Sequence, residues 1–442
     1  MNYCPRFTAP TPKPWLMNLL APVTELFFLK GLPFLRDLPL IKTVPGVCGL
    51  AKVRYIDFPL QDQQNLKDMT GKNRATFFLP NHPEFFTDWM IDKYVLSRIS
   101  PKAACWADGR IVNGMGRLMQ RFWLNNNLIA QISGQSRQGK RYSVTAALAG
   151  QGVLLHPEGQ VNWFGNIISD VFPGAAEMAI KSYLKGSSVT NAGFQCWLAP
   201  IIWKLRFNAD VKSNLLDECR YIENRLELEP SRCNCPARRT YTIYHQLASR
   251  DYCEISCTDN SFAHIHLGVL RNKIVEKSCE QLADVISLEQ NDHLSIIRTA
   301  TKWLGQHNAA HACYSLVKRA CRLAKRWIKL NIRAFRHSTI SQEEIAEHQK
   351  RIRADFCNGT IRDKINQLIP QAAGIRTAHI RAVNPLAIHE LPLSNNKPDP
   401  AQIMEKVRQS MQQKLNQLID ELELKSPGLK IPNPFYLEKP GG

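Results

Sequence analysis

The sequence predicts an α/β fold, a mixed sheet flanked by helices, followed by a second, mainly helical domain. Short apolar runs alternate with helix-like segments between residues 51 and 207, as in strands joined by helical crossovers. Beyond residue 260 the strand patterns fade and helical periodicity dominates. A chain of 442 residues is long enough for two or three domains, each with its own core.

The first 50 residues are predicted to form an N-terminal segment that is apolar over residues 15–35. Polar residues and prolines interrupt this run, which falls short of the roughly 20 unbroken apolar residues of a membrane span. The first 14 residues lack the basic-then-apolar order of a secretion signal, so we expect a protein that stays inside the cell. Two interpretations stay open: a helix that lies in a membrane interface through residues such as Trp15 and Phe27, or a helix packed on the main domain.

Residues 51–210 are predicted to form the α/β domain. Its predicted strands are short and rich in β-forming residues, with polar residues, Gly or Pro at their ends. They cover residues 75–79, 103–107, 128–132, 152–155 and 196–202. Helical patterns fill the intervals at residues 87–98, 116–124, 142–148 and 175–184.

Two further segments complete the predicted organisation. Residues 211–260 are rich in Cys and Arg and are predicted to be an irregular surface excursion. Residues 261–442 are predicted to form a mainly helical domain, with helices at 342–356 and 400–424.

Thirteen cysteines are spread along the chain, and their odd number argues for mostly free thiols in a reducing compartment. Four of them form two close pairs, C-x-C and C-x3-C: Cys233, Cys235, Cys253 and Cys257. Both spacings depart from the C-x2-C knuckle with which two thiolates share one zinc ion. Ordinary thiols are therefore favoured over a zinc site, and no resident metal or cofactor is predicted.

Charge sets this chain apart from average globular proteins. Hydrophobic residues at 44% and charged residues at 21% exclude a collagen-like, low-complexity or disordered chain. The 57 Lys and Arg against 38 Asp and Glu give a net charge of +19. This excess favours anionic partners, namely nucleic acid, an anionic membrane surface or a phosphorylated substrate.

One predicted helix concentrates the charge. Its apolar residues recur at steps of three and four: Leu316, Ala320, Leu323, Trp327, Leu330 and Ala334. Eight basic residues with no acid among them, which we expect to be unpaired, lie between: Lys318, Arg319, Arg322, Lys325, Arg326, Lys329, Arg333 and Arg336. We expect this helix to dock on anionic lipid headgroups. A solvated face and a nucleic-acid contact are the alternatives, and no nucleic-acid-binding motif accompanies the charge.

A histidine at the mouth of a predicted helix is the first candidate for chemistry. His82 follows the strand at residues 75–79, and Asp88 lies six positions later. Open α/β sheets present reactive groups on such strand-to-helix loops. A carboxylate that accepts one ring N–H leaves the other ring nitrogen free to take a proton from a hydroxyl. His82 and Asp88 are therefore a candidate general-base dyad.

Together with later segments, this dyad resembles the glycerolipid acyltransferase family, the lysophosphatidic acid acyltransferase type that includes the glycerol-3-phosphate acyltransferases. Four blocks occur in the family's order: Asn81-His82 with Asp88; Gly109-Arg110 through Gly116; Pro157-Glu158-Gly159 with residues 172–179; and Ala199-Pro200-Ile201. The resemblance covers residues 74–207, under a third of the chain.

The resemblance implies an O-acyltransferase of phospholipid synthesis that moves a fatty acyl group from acyl-CoA or acyl-carrier protein to a lipid hydroxyl. His82 would be the general base and Asp88 its orienter, without a covalent intermediate or a metal. Glu158 and Gly159 would line the acceptor site, with Pro157 in the same block. Pro200 would shape an apolar wall near the acyl chain. A purely structural strand-to-helix turn is the alternative role for these residues.

The resemblance also implies partners and a location. The expected acceptor is glycerol phosphate or a lysophospholipid, and the protein would be cytoplasmic and peripheral on the inner face of an anionic membrane. A lyso-aminolipid or glycolipid acceptor is the alternative within the same chemistry. A non-catalytic lipid-binding protein that keeps the fold is the alternative from a different class.

The chain departs from the family pattern within the dyad and the third block. Five residues instead of four separate His82 from Asp88, so a one-residue bulge is expected in the loop. Gln160-Val161 stands where Thr-Arg usually follows the glycine. That arginine helps to hold the acceptor phosphate in the family, so its absence makes the alternative acceptor, a lyso-aminolipid or glycolipid, credible.

The arginine of the second block has three candidates, Arg110, Arg117 and Arg137. A guanidinium suits a phosphate because it makes bidentate contacts. We rank Arg137 first, because it follows the predicted strand at residues 128–132, and keep Arg110 as the second phosphate-binding candidate.

Overall fold

The computed structural model describes residues 7–38, 49–84, 86–114, 116–132, 136–161, 165–190, 193–257, 262, 264–287, 292–307, 309–330, 335, 337–361, 363, 372–392, 399–425, 428 and 430–436. The chain divides into two compact units. Unit 1 comprises Met1–Ala209 and Leu368–Pro427, and unit 2 comprises Asp210–Gln367 and Gly428–Gly442.

The strands are, in chain order, β1 (Val53–Asp57), β2 (Arg74–Pro80), β3 (Ala104–Asp108), β4 (Leu128–Gln131), β5 (Val153–Leu154), β6 (Gln195–Phe207), β7 (Thr339–Ser341), β8 (Arg376–Ala382), β9 (Leu386–Ala387) and β10 (Lys430–Pro432). β7 and β10 form an antiparallel pair in unit 2. The other eight form one sheet in unit 1, in the order β1-β8-β6-β2-β5-β3-β4, with β9 beside β6.

The helices are α1 (Pro14–Val23), α2 (Leu60–Asp68), α3 (Thr87–Ile99), α4 (Gly109–Gly114), α5 (Gly116–Asn125), α6 (Ser136–Leu148), α7 (Gly174–Thr190), α8 (Lys212–Arg225), α9 (Pro236–Ser256), α10 (Leu267–Ile286), α11 (His293–Gln306), α12 (Tyr314–Ile328), α13 (Gln342–Phe356) and α14 (Pro400–Lys425). The predicted α/β class and the mixed sheet flanked by helices are confirmed.

Five neighbouring strands of the sheet, β6, β2, β5, β3 and β4, run parallel. β8 is antiparallel to β6 and parallel to β1. The carboxyl ends of the parallel strands therefore meet at one edge of the sheet, where open α/β sheets carry their sites. The loops after β2 and β5 begin at this edge.

The central strand β2 shows why the sheet is covered on both faces. All its residues from Ala75 to Pro80 are buried, as in parallel strands that lie between two helical layers. Phe77 packs in one core with Ala176 of α7 and Met404 of α14. Its neighbour Phe78 points to the other face and packs with Met90 of α3.

Two of the sequence-based segment assignments are wrong. Residues 211–260 are not irregular, because α8 and α9 occupy most of them. Pro236 stands at the first turn of α9, where a proline favours a helix start, and a buried Arg239–Glu223 ion pair joins α9 to α8. Residues 261–442 are not a single helical domain, since β8 and α14 complete the sheet and core of unit 1.

The N-terminal segment buries some of its apolar side chains and exposes others. α1 continues into a π-helical stretch, Thr24–Lys30, and the side chains of Met17, Leu20 and Leu29 are buried. Trp15 is 64% exposed and Leu19 is 55% exposed. Among the residues that the structure describes, we find no helix with the length and apolar content of a membrane span.

Candidate active site

Two histidines meet at the carboxyl edge of the sheet. His82 follows β2 and His156 follows β5, and these strands are direct neighbours. Their imidazole rings stack with centroids 3.9 Å apart and ring planes inclined by 16°. The side chain of His82 is 18% exposed, so the stacked pair is largely shielded from water.

His82 and Asp88, the residues of the predicted dyad, are in contact. Nδ1 of His82 lies against Oδ2 of Asp88 in the first turn of α3. The other carboxylate oxygen accepts a hydrogen bond from the backbone N–H of Glu84 at 3.1 Å, which fixes the carboxylate. Phe86 has a φ of +68°, a backbone conformation that is rare for a bulky side chain. This residue lies in the loop that is one position longer than the family pattern.

His156 has an aspartate of its own. Its Nε2 lies 2.9 Å from Oδ2 of Asp92, one helical turn after Asp88 on α3. Its Nδ1 lies 3.1 Å from the carbonyl oxygen of Asn81 and 3.3 Å from that of Pro80. Carbonyl and carboxylate oxygens accept hydrogen bonds, so both ring nitrogens must donate. The geometry therefore favours a doubly protonated, positively charged His156 ring.

Burial and the neighbouring charges move the two histidines in opposite directions. Burial, with the nearby charge of His156, holds the pKa of His82 well below its ordinary value. Burial also disfavours the charged form of His156, but the carboxylate of Asp92, helped by Glu158 and the Pro80 carbonyl, outweighs it and raises the pKa. The environment thus favours the neutral form of the His82 ring and the charged form of the His156 ring.

Glu158 ties the site loops together. The carboxylate is buried and accepts hydrogen bonds from the backbone N–H of His82 at 2.7 Å and of Ser169 at 2.8 Å. Because these bonds go to backbone groups of unit 1, Glu158 has a positioning role in addition to the acceptor-lining role implied by the resemblance.

The block that carries Glu158 is a tight turn. The N–H of Gly159 donates to the carbonyl of His156 at 3.1 Å, and Pro157 occupies the first inner position, where proline is favoured. Gly159 has a φ of +68°, and a Cβ there would lie 2.6 Å from the ring of Phe172. The turn explains both the proline and the glycine without a ligand.

Pro200 lies inside the sheet. It is buried in β6 in register with Leu79, beside the end of β2. Its carbonyl accepts the N–H of Val383 at 3.0 Å. Next to it, the side chain of Asn81 exchanges two hydrogen bonds with the backbone of Trp203, at 2.9 and 3.0 Å. These contacts seat the start of the His82 loop against β6.

The candidate phosphate-binding arginines are exposed. Arg110 lies at the start of α4 with 91% of its side chain exposed, and its guanidinium bonds both carboxylate oxygens of Asp108 at 2.7 to 3.2 Å. Arg117 is exposed on α5, and Arg137 is exposed in the first turn of α6, next to residues 133–135, which lie outside the described residues. Arg110 already has an anionic partner in Asp108, and the ranking of Arg137 as first candidate stays a prediction.

An arginine far along the chain also supports the site. Arg376 at the start of β8 donates through Nη1 to Oε2 of Glu84 at 2.8 Å, and through Nη2 to the carbonyl of Ala51 at 2.6 Å. Both ionic side chains are buried. No local sequence signal links Glu84 to a residue almost 300 positions away, so sequence analysis missed this contact.

Three side chains at the stacked histidine pair could in principle ligate a metal ion. His82, Asp88 and His156 each offer a ligand atom within 4.8 Å of the others. However, the ring nitrogens of His156 face Asp92 and two carbonyls, and Nδ1 of His82 faces Asp88. This donor set fits proton transfer better than a cation.

The four cysteines considered for zinc cannot share an ion. Cys233 and Cys235 precede α9, and Cys253 and Cys257 lie at its other end. α9 has 21 residues, and at 1.5 Å per residue such a helix is about 30 Å long. The two pairs are therefore separate, as the ordinary-thiol interpretation expects.

The basic helix α12 lies in unit 2 with its apolar side buried, including Val317, Leu323 and Trp327. Five basic side chains line a groove of about 410 Å³ along it: Lys318, Arg322, Lys325, Arg326 and Lys329. The expectation that all eight charges are unpaired is wrong, because acids on α9 pair with Arg322 and Arg326. Arg333, Ala334 and Arg336 lie outside the described residues.

The site defines a class of protein: an α/β protein with a shielded His–Asp pair at the carboxyl edge of its parallel strands. Neither a scan against protein-family models nor a comparison with curated proteins finds a match to this chain.

Proposed function

We propose that this protein is an O-acyltransferase that moves a fatty acyl group from acyl-CoA or acyl-carrier protein to a lipid hydroxyl, in the manner of the glycerolipid acyltransferases. The contact between His82 and Asp88 carries the proposal. The four ordered sequence blocks and the place of the dyad at the carboxyl edge of the parallel strands support it.

The chemistry needs only a base and its orienter. With Nδ1 of His82 against Asp88, the proton sits on Nδ1 and the lone pair on Nε2. Nε2 takes the proton of the acceptor hydroxyl while the hydroxyl oxygen forms a bond to the thioester carbonyl carbon. The carbon–sulfur bond then breaks, and His82 returns the proton to the leaving thiolate. The lowered pKa of His82 keeps the ring unprotonated and ready at neutral pH.

The acceptor is a glycerophosphate or lysophospholipid if Arg137 binds a phosphate, as a guanidinium does through paired hydrogen bonds. The engagement of Arg110 by Asp108 and the Gln160-Val161 sequence favour the alternative, a lipid hydroxyl without that phosphate, such as a lyso-aminolipid or glycolipid. Product identification by mass spectrometry, with both acceptor types offered together, separates the two.

We also propose that the protein works as a peripheral protein on an anionic membrane surface. Exposed large apolar side chains cluster in the N-terminal segment of unit 1: Trp15, Leu19, Phe27, Phe34, Leu35 and Leu38. In unit 2, the lysines of the α12 groove add an electrostatic attraction to anionic headgroups. The apolar side of α12 is buried, so this helix would contribute charge rather than insertion.

The test compares purified wild-type protein with His82→Ala and Asp88→Asn on acyl-CoA and acyl-carrier protein with a panel of lysolipids. Loss of a general base lowers kcat by about 10²- to 10⁴-fold. His379→Ala is the matched control, because His379 pairs with Asp57 at 3.0 Å elsewhere in unit 1.

Wild-type activity in His82→Ala would refute the catalytic assignment. Vesicle binding without transfer to any acceptor by the wild-type protein would instead support the alternative, a non-catalytic lipid-binding protein.

A further inference from the structure

The stack of His82 on His156 is not used by the proposed reaction. The reaction needs one base and one orienter, yet a second His–Asp pair, His156 with Asp92, lies directly against the first. A packing role alone asks only for a flat apolar ring at this place. The carboxylate and the two carbonyls around His156 need an explanation of their own.

We propose that His156, bound between Asp92 and the carbonyls of Pro80 and Asn81, is a positioning residue that keeps His82 in its neutral, proton-accepting form. The proposal deepens the proposed function, since it concerns the same site. The geometric argument does not depend on the proposed reaction, because the two carbonyl oxygens beside Nδ1 of His156 can only accept hydrogen bonds and a carboxylate group lies beside its Nε2.

The charges around the pair favour this assignment. The groups that face His156 are the carboxylates of Asp92 on α3 and Glu158 in its own turn, together with the ring of His82. The carboxylate that faces His82 is Asp88. Two acids therefore stabilise a positive His156, and that positive ring opposes a second positive charge 3.9 Å away on His82.

The arrangement also helps the second half of the acyl transfer. After His82 has taken the hydroxyl proton, two positive rings would be stacked, which is unfavourable. The protonated His82 is then a better acid and passes its proton more readily to the sulfur of the leaving thiolate. One fixed charge thus keeps the base free before the reaction and assists the proton's departure afterwards.

The experiment is an NMR titration of the imidazole C–H signals in the full chain, with the signals of His82 and His156 assigned by His82→Gln and His156→Gln. The variants are Asp92→Asn, which nearly keeps the shape but removes the counter-charge, and His156→Phe, which keeps a stacked ring without charge. His379→Phe removes a His–Asp pair that does not touch the stack and is the control.

We expect His156 to be protonated at pH 6.5 in the wild-type protein while His82 is neutral. Asp92→Asn and His156→Phe should each move the titration of His82 upward by at least about one pH unit, and His379→Phe should leave it unchanged. The acid limb of kcat/KM should move upward with it, since His82 must be neutral to act.

The proposal is overturned if His156 is neutral at pH 6.5, or if the titration of His82 stays at its wild-type position in the variants that fold. Asp92→Asn decides the question should His156→Phe fail to fold. Full transferase activity in His82→Ala would refute the proposed base but leave the titration result standing. An unmoved titration with an inactive His82→Ala would refute this inference alone.

Discussion

Asp88 and Asp92 lie one turn apart on α3, and each holds one ring of the stacked histidine pair. A single helix therefore sets the position of both imidazoles. Asp88 lies in the first turn of α3, where the helix dipole favours a negative charge. A shift of α3 would disturb both pairs together.

The buried ion pair between Arg376 and Glu84 allows a stability test. Arg376→Met removes the guanidinium that pairs with the buried Glu84 carboxylate, which we expect to cost about 3–5 kcal/mol of unfolding free energy. Because Glu84→Gln in the same chain removes the buried negative charge, the double variant should regain most of the loss. Urea denaturation measures all three proteins.

The control for this test is Lys425→Met, which removes an exposed pair with Glu421. It should cost under about 1 kcal/mol. If Arg376→Met were no more destabilising than Lys425→Met, the buried pair would not anchor the loop in the way described.

At the scale of elements, local sequence patterns were sufficient to predict the strands β2 to β6 and the helices α3, α5, α6 and α7. Their apolar runs and helical periods lie within single windows of sequence. α13 and α14 were also predicted, with bounds within one residue. β8 was missed, because Arg376, His379 and Arg381 make it look polar. Its polar side chains are paired by distant partners such as Asp57.

The site was predictable only as far as its parts are close in sequence. His82 and Asp88 are six positions apart on one loop and helix, so the pattern indicated their contact. His156 joins them only because β5 lies beside β2, which no local pattern shows. The one available signal was the spacing of Asp88 and Asp92, which puts both on one side of α3.

The N-terminal segment allows a test of membrane contact. Trp15→Ser with Leu19→Ser removes exposed apolar side chains and should weaken co-sedimentation with anionic vesicles several-fold, because burying such side chains in the interface stabilises binding. Replacing Lys318, Lys325 and Lys329 by Gln should weaken it mainly at low salt.

Leu294→Ser is the matched control, because Leu294 is an exposed leucine on α11 of unit 2. It should bind vesicles like the wild-type protein. If Leu294→Ser lost as much vesicle binding as the Trp15/Leu19 variant, a docking role specific to the N-terminal segment would be contradicted.

Along the chain, the main segment of unit 2 lies between the two segments of unit 1. β8 pairs with both β1 and β6, and α14 supplies Met404, Met411 and Leu415 to the core on one face of the sheet. Residues 1–209 contain every predicted site residue but lack β8, which is part of the same sheet.

This organisation predicts the behaviour of a truncated chain. A fragment of residues 1–209 contains His82, Asp88 and Glu158 but lacks β8 and α14, so β1 and one edge of β6 lose their partners. We expect it to be unfolded or aggregated, as measured by circular dichroism and size-exclusion chromatography. A cooperative thermal transition in this fragment would contradict the assignment of β8 and α14 to unit 1.

The bond between Glu84 and Arg376 spans 292 positions and has a consequence for synthesis on the ribosome. The loop that carries His82 leaves the exit tunnel early, but its anchor is translated only after the main segment of unit 2. Domains generally fold as units as the chain emerges, and the N-terminal one usually folds first. Here unit 1 is complete only after β8 and α14 have been translated, so the nascent protein carries the loop of its proposed base in an unfinished fold until those elements emerge.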